Sequence, residues 1–150
     1  MPSIGYRIAR AEDAPAIADI YAPYVRDTII SFETDAPDAS EIQARMARIG
    51  AQYPWLVATS DGRVTGYAYA CEHRARLAYR WSVDVAVYLP ASEHGKGIGR
   101  ALIEASADIA RQRGSHHLEW ATAPDNATAR RLYDSTGATR STWIEYELDL

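Results

Sequence analysis

Three alternating glycines, Gly95, Gly97 and Gly99, hold Lys96 between them and Arg100 directly behind. Glycine opens positive φ to the backbone and lets amides approach a ligand with no Cβ in the way. An apolar run, Val83 to Leu89, precedes the glycines. A helical pattern follows at once, with Ile98, Leu102, Ala105 and Ile109 on one face. The first amides of a helix have no intrahelical partner and sit at the positive end of its dipole. Strand, glycine loop and helix start together therefore predict an anion cradle, foremost for phosphate. Lys96 and Arg100 add cationic groups at its rim. The spacing is not that of the nucleotide-hydrolase phosphate loop, Gly-x-x-x-x-Gly-Lys-Ser/Thr. Nor is it the dinucleotide fingerprint, whose last glycine would fall on Leu102.

Other residues with chemical potential are sparser. Asp84 is the only acid between Trp81 and Leu89, and Arg80 lies on the same face of that run. Five acids and no base fall between Asp27 and Glu41, and three arginines with no acid between His73 and Arg80; each is a candidate solvated loop or a charged wall. Cys71 has no acid–base pair near it in sequence. With His73, His116 and His117 it shows no metal-ligand spacing, so no metal is expected.

These residues must be held by elements, and the chain supplies them in a readable order. Its 150 residues are 47% hydrophobic and 24% charged with a net charge of −4, a globular profile for a single domain over 1–150 with no nucleic-acid footprint. One cysteine fits a reducing compartment, and no run suits a membrane span or secretory leader, so a cytoplasmic protein is expected. Tyr6 to Ala9 reads as a strand. Asp13 is the expected N-cap of a helix with apolar residues at 14, 17, 18, 21, 24 and 25, which Pro23 should kink or split near Ala22. Asp38-Ala39-Ser40-Glu41 has capping-box spacing before a second helix. Trp55–Thr59 and Val64–Cys71 flank Asp61-Gly62 as a hairpin, and Arg80–Leu89 alternates as a third long strand. After the glycine loop come a helix ending near Gly114, a strand over His117–Ala121, a helix from Asn126 to Gly137, and a strand over Trp143–Leu148. The order β α α β β β α β α β predicts a mixed, twisted α/β (α+β) sheet, parallel after residue 83.

The pattern Arg/Gln-x-x-Gly-x-Gly/Ala, met here by His94, Gly97 and Gly99, resembles the pyrophosphate loop of the GNAT acyltransferases, which binds acyl-CoA; that family usually has Arg or Gln where His94 stands. The element order resembles the GNAT layout, which implies a sheet of about six to seven strands with about four helices. Residues 6 to 102 further resemble the phosphinothricin and methionine-sulfoximine N-acetyltransferase group. The resemblance lies in Ile20-Tyr21-Ala22-Pro23-Tyr24-Val25, Thr28 to Glu33, Tyr53 to Ala58, Gly66 to Ala70, Arg74 to Trp81 and Val87-Tyr88. The last third instead carries the general GNAT form Asn-x-x-Ala-x-x-x-Tyr, at Asn126, Ala129 and Tyr133.

The resemblance implies an acetyl-CoA-dependent N-acetyltransferase acting by direct attack on a small amino-acid-like amine of the phosphinothricin or methionine-sulfoximine type, working as a homodimer. A protein or peptide amine acetyltransferase and a non-catalytic acyl-CoA-binding module stay open beside it. It implies that backbone at Val87 and Leu89 pairs with the pantetheine arm, and that an amide near a bulge at Val85 to Val87 faces the thioester oxygen. His94, Gly95, Lys96, Gly97, Gly99 and Arg100 would hold the diphosphate, and Asn126 the cofactor arm. Asp84 stands where the family has a glutamate base, and Tyr133 is the implied acid for the CoA sulfur. Arg74 and Arg76 would clamp the acceptor's acidic group, with Phe32, Glu33 and Tyr79 shaping the pocket and Glu33 receiving the ammonium.

Overall fold

Two-residue alternation and helical periodicity each produce the element they predict over most of the chain. A computed structural model describes residues 3–28, 31, 33–72, 82–142, 144 and 146–149. Strand β1 (Ile4–Ile8) leads through a single 3₁₀ turn into helix α1 (Ala14–Asp27), then α2 (Ala39–Ile49), β2 (Leu56–Ser60), β3 (Arg63–Glu72) and β4 (Ser82–Tyr88). After the glycine loop follow α3 (Ile98–Gln112), β5 (His117–Glu119) and α4 (Ala127–Asp134). The sheet order is β1-β2-β3-β4-β5, antiparallel as far as β4, with β5 parallel to β4. Asp61 and Gly62 both take positive φ, +50° and +77°, and close the β2–β3 hairpin in two residues.

Alternation along the strands divides the core in two. On one face Val57, Trp55 and Tyr67 pack against Ala14, Ile17, Tyr21 and Val25 of α1 and Ile42 of α2. On the other, Leu56, Ala58, Ala68 and Val85 pack against Ile98 and Leu102 of α3. The first of these is the candidate reaction face.

Three expectations need correction. Of the kink or split expected at Pro23, the split does not occur, and α1 runs unbroken through it. Asp19, whose carbonyl loses its helical donor at Pro23, lies on the same exposed strip, so water can take up that carbonyl. Asp13 stands at the N-cap of α1 but gives it no side-chain bond. Its buried carboxylate instead receives Arg7 Nη1 and Nη2 at 2.7 and 2.8 Å and the Arg10 amide at 2.7 Å, tying β1 to the start of α1. Lastly, among the described residues the sheet has five strands, against the six to seven expected. Ile144, Tyr146 and Leu148 are 75, 90 and 83% exposed and belong to no ladder, while Trp143 and Glu145 lie outside the described residues. Alternation marks a strand only where a neighbouring edge takes up its hydrogen bonds, and among the described residues β5 pairs with β4 alone.

The Arg7 guanidinium holds the Asp13 carboxyl below the ordinary carboxylate range. A lowered folded-state pKa contributes stability that is present above the unfolded value and lost as pH falls through the folded one. Asp13→Asn is therefore expected to lower Tm most near pH 7, by an amount corresponding to roughly 2 kcal/mol. Melts across pH should show the gap to wild type closing below about pH 4.

Candidate active site

The β4–β5 ladder joins only Ser82–Asp84 to His117–Glu119, whereas β4 continues to Tyr88 and stays paired with β3 throughout. Beyond Asp84 the β5-side edge of β4 has no strand neighbour among the described residues. β5 ends there, and the notch this leaves along the β4 edge begins at Asp84. The expected bulge at Val85 to Val87 is not present against β3, whose register runs without a shift from Tyr67↔Tyr88 to Glu72↔Val83. The opening comes from the end of the parallel ladder. A free strand edge of this kind can accept an extended amide-bearing chain as an added strand.

The notch leads to the glycine loop. Gly95 and Gly97 take φ of +76° and +82°, and Gly97 is the N-cap of α3. A Cβ on Gly97 would meet no protein atom within 4 Å, so that side of the loop faces open space. Gly99 serves differently: it is buried, and a Cβ there would lie 2.9 Å from Leu132 Cδ2, so it lets α4 approach α3. The α3 amides before Ala101, whose N–H donates to the Gly97 carbonyl, are the ones left over for an anion.

The expected rim cations have protein partners. Lys96 Nζ pairs with Glu93 at 3.1 Å, and Arg100 Nη2 donates to the Ser135 carbonyl at 2.7 Å, joining α3 to the end of α4. The His94 ring turns back, its Nε2 3.3 Å from the Leu89 carbonyl oxygen and 3.4 Å from the Tyr24 hydroxyl. Tyr24 also donates to that carbonyl. The Leu89 carbonyl thus has Tyr24 and His94 as side-chain partners at the end of the open edge.

One sheet face beside the notch carries the candidate reactive side chains. Register places Asp84, Ala86 and Tyr88 opposite Cys71, Tyr69 and Tyr67. Asp84 is half-buried there. Tyr88 meets Tyr21 and Tyr24 edge-on, with ring centroids 5.0 and 5.1 Å away, and Trp55 stacks on Tyr69 at 4.7 Å. Burial, and after it the Glu33 bond, pushes the Tyr21 phenol up to about 12; burial and the neighbouring Tyr21 do the same for Tyr69. Tyr88 is raised by burial and then by the fields of Tyr69, Glu33, Tyr133 and Tyr24.

Tyr133 is held edge-on to Trp120 at 5.5 Å, and burial followed by Tyr24 raises its phenol above the ordinary value. Asn126 caps α4, its side-chain oxygen accepting from the Ala129 amide at 3.1 Å. Glu33 accepts a bidentate bond from Arg45 and a further bond from Tyr21. Arg45 escaped the sequence reading; its one local signal is the i,i+4 spacing to Glu41, which marks an ordinary helix-surface pair. Phe32, Arg74, Arg76 and Tyr79 lie outside the described residues. Among the described residues no cluster of His, Cys, Asp and Glu suits a metal, and no helix is long and apolar enough to cross a membrane.

The model of the acetyltransferase (GNAT) family matches residues 15–138. The chain belongs to that family. Among GNAT relatives, the phosphinothricin N-acetyltransferase of Alcaligenes faecalis is 45% identical over 98 residues, 65% of this chain and 50% of that protein, so the match spans only half of that relative's length. The L-methionine sulfoximine/L-methionine sulfone acetyltransferase of Salmonella typhimurium is 34% identical over 134 residues, 89% of this chain and 78% of that one. Among solved structures, a Salmonella typhimurium acetyltransferase with its cofactor acetyl-CoA superposes with a TM-score of 0.86 at 32% identity, covering 91% of this chain and 79% of the other. The five-stranded sheet described here is thus a GNAT fold.

Proposed function

We propose that this GNAT domain is an acetyl-CoA-dependent N-acetyltransferase whose acceptor is the amine of a small amino-acid-like molecule of the phosphinothricin or methionine-sulfoximine type. The observation that carries the reading is the β4 edge opened at Asp84 and running to the unpaired amides of α3. This groove matches a cofactor with an amide-bearing arm and a diphosphate. The relatives' activities supply the acceptor class.

Acetyl-CoA supplies the activated thioester carbonyl. The chain's residues do the rest. An amide in the Val85–Val87 stretch stabilises the developing oxyanion; losing such a donor typically costs ~10²–10³ in rate. Asp84, directly or through one water, takes the proton that the amine loses as nitrogen bonds to the carbonyl carbon. Tyr133 gives its phenolic proton to the sulfur as the carbon–sulfur bond breaks. The products are an amide and the free thiol, and the proton held by Asp84 returns through solvent to Tyr133.

Thiol release from acetyl-CoA across free amino acids, sulfoximines, polyamines and peptides tests the reading. Turnover on amino-acid-like acceptors with little on peptides is the expected result. Preference for peptides would overturn the acceptor class, and tight binding of acetyl-CoA with no turnover would overturn catalysis altogether. Gly97→Ala places a side chain at φ +82°, costing about 1 kcal/mol of stability. Its Cβ meets nothing of the protein, so a rise of about tenfold in KM for acetyl-CoA, with acceptor KM unchanged, would report the diphosphate that shares that space.

A further inference from the structure

We infer that Arg45 is a positioning residue for acceptor recognition: from α2 it clamps the Glu33 carboxylate in one place and one plane beside the β3–β4 face, so that the wall presented to the acceptor carries a fixed negative charge. The inference rests on the N-acetyltransferase reading and names a determinant of its acceptor class.

The geometry is specific. Arg45 Nη2 donates to Glu33 Oε1 at 2.5 Å and Nη1 to Oε2 at 3.1 Å, while Nε donates to Glu41 Oε1 at 2.8 Å. A guanidinium fork on both oxygens sets the plane of a carboxylate as well as its distance. Tyr21 donates its only hydroxyl proton to Glu33 Oε2 at 2.5 Å, so the Ser31 hydroxyl, 2.6 Å away, donates to Tyr21. The Glu33 amide in turn donates to Ser31 at 3.2 Å. Tyr21 itself rests edge-on against Tyr88 of the reaction face. Glu33 is thereby referenced to α2 on one side and to β4 on the other.

The electrostatics follow. Arg45 and Tyr21 hold the Glu33 carboxyl below the ordinary range, and Glu33's charge is felt at Tyr69 and Tyr88. Glu33 and Glu41 share the one Arg45 guanidinium, so this trio carries a net charge of −1. A carboxylate offers about four lone-pair sites, and these three hydrogen bonds leave about one for an incoming donor. An ammonium or amine N–H fits that site; an acceptor's own carboxylate is repelled from it. The arrangement selects acceptors that lead with the amine and keep the acidic group away from α2. Without Arg45 the half-buried Glu33 would draw a proton or swing toward water, and the amine would lose its fixed partner.

The test separates acceptor from cofactor. Arg45→Met keeps the unbranched stem and the helix propensity of the side chain and removes the guanidinium fork. It is expected to raise acceptor KM about tenfold or more, because misplacing a positioning group by an ångström costs on that scale, with KM for acetyl-CoA within twofold. Arg45→Lys, which has a point charge but no fork, should restore only part of the loss. Glu33→Gln combined with Arg45→Met relieves the uncompensated charge and should recover Tm without recovering acceptor KM. A double variant with wild-type acceptor KM, or equal rises in both KM values in Arg45→Met, would overturn the inference. Calorimetric binding of a sulfoximine acceptor needs no turnover. A wild type that binds it without acetyl transfer would sink the catalytic reading, and Arg45→Met binding as tightly as wild type would sink this one.

Discussion

Asp84→Asn should lower kcat/KM for the acceptor by ~10²–10⁴ at pH 8, the usual contribution of a positioned general base. Asparagine preserves size and hydrogen-bonding capacity and removes only the basic oxygen. Asp84 is half-buried at the residue where the parallel ladder stops, with the open β4 edge beginning next to it. A base at the apex of the notch is therefore adjacent to any carbonyl laid along that edge. Both rates should climb with pH as the free amine deprotonates, and the gap between them should persist at alkaline pH, because the proton lost on attack still needs an acceptor. Equal Tm values would separate this effect from unfolding. An Asp84→Asn enzyme with an unchanged profile would show that the proton leaves by another route.

The second large effect is expected at Tyr133. Replacement by phenylalanine keeps the ring that packs edge-on against Trp120 and deletes only the hydroxyl. Burial and Tyr24 raise the phenol's pKa, so it remains protonated through the range where the amine becomes a nucleophile. It therefore has a proton to give at the moment the thiolate leaves. Tyr133→Phe should reduce kcat by ~10²-fold with KM for acetyl-CoA within twofold, and acceptors bearing less basic amines should suffer equally. A variant that retains kcat, or one that loses cofactor affinity in proportion, would make Tyr133 a packing residue.

Much of this site was legible because its signals are local. Gly95 and Gly97 adopt the positive φ that their spacing implied, and Asn126 caps α4 as its position suggested. Asp84 was conspicuous as a lone acid in an apolar strand. Other parts left no local trace. Tyr24 reaches the Leu89 carbonyl across 65 residues, and Arg45 reaches Glu33 from the next helix. The acidic stretch from Asp27 to Glu41 read first as a solvated loop, since charge density says nothing about which guanidinium will meet it.

What the sequence alone determined was the kind and order of elements from β1 to α4. Alternation, helical period, caps and turn residues act within a few positions and need no partner elsewhere in the chain. Tertiary structure decided everything that depends on two distant backbones meeting. It ended the β4–β5 ladder at Asp84 and so made a notch. It carried α1 through Pro23 by leaving the Asp19 turn exposed, and it left Ile144, Tyr146 and Leu148 unpaired despite their strand-like alternation. Hydrogen-bond partners across a sheet, and the ion pairs between separate elements, are fixed only when packing brings the edges together.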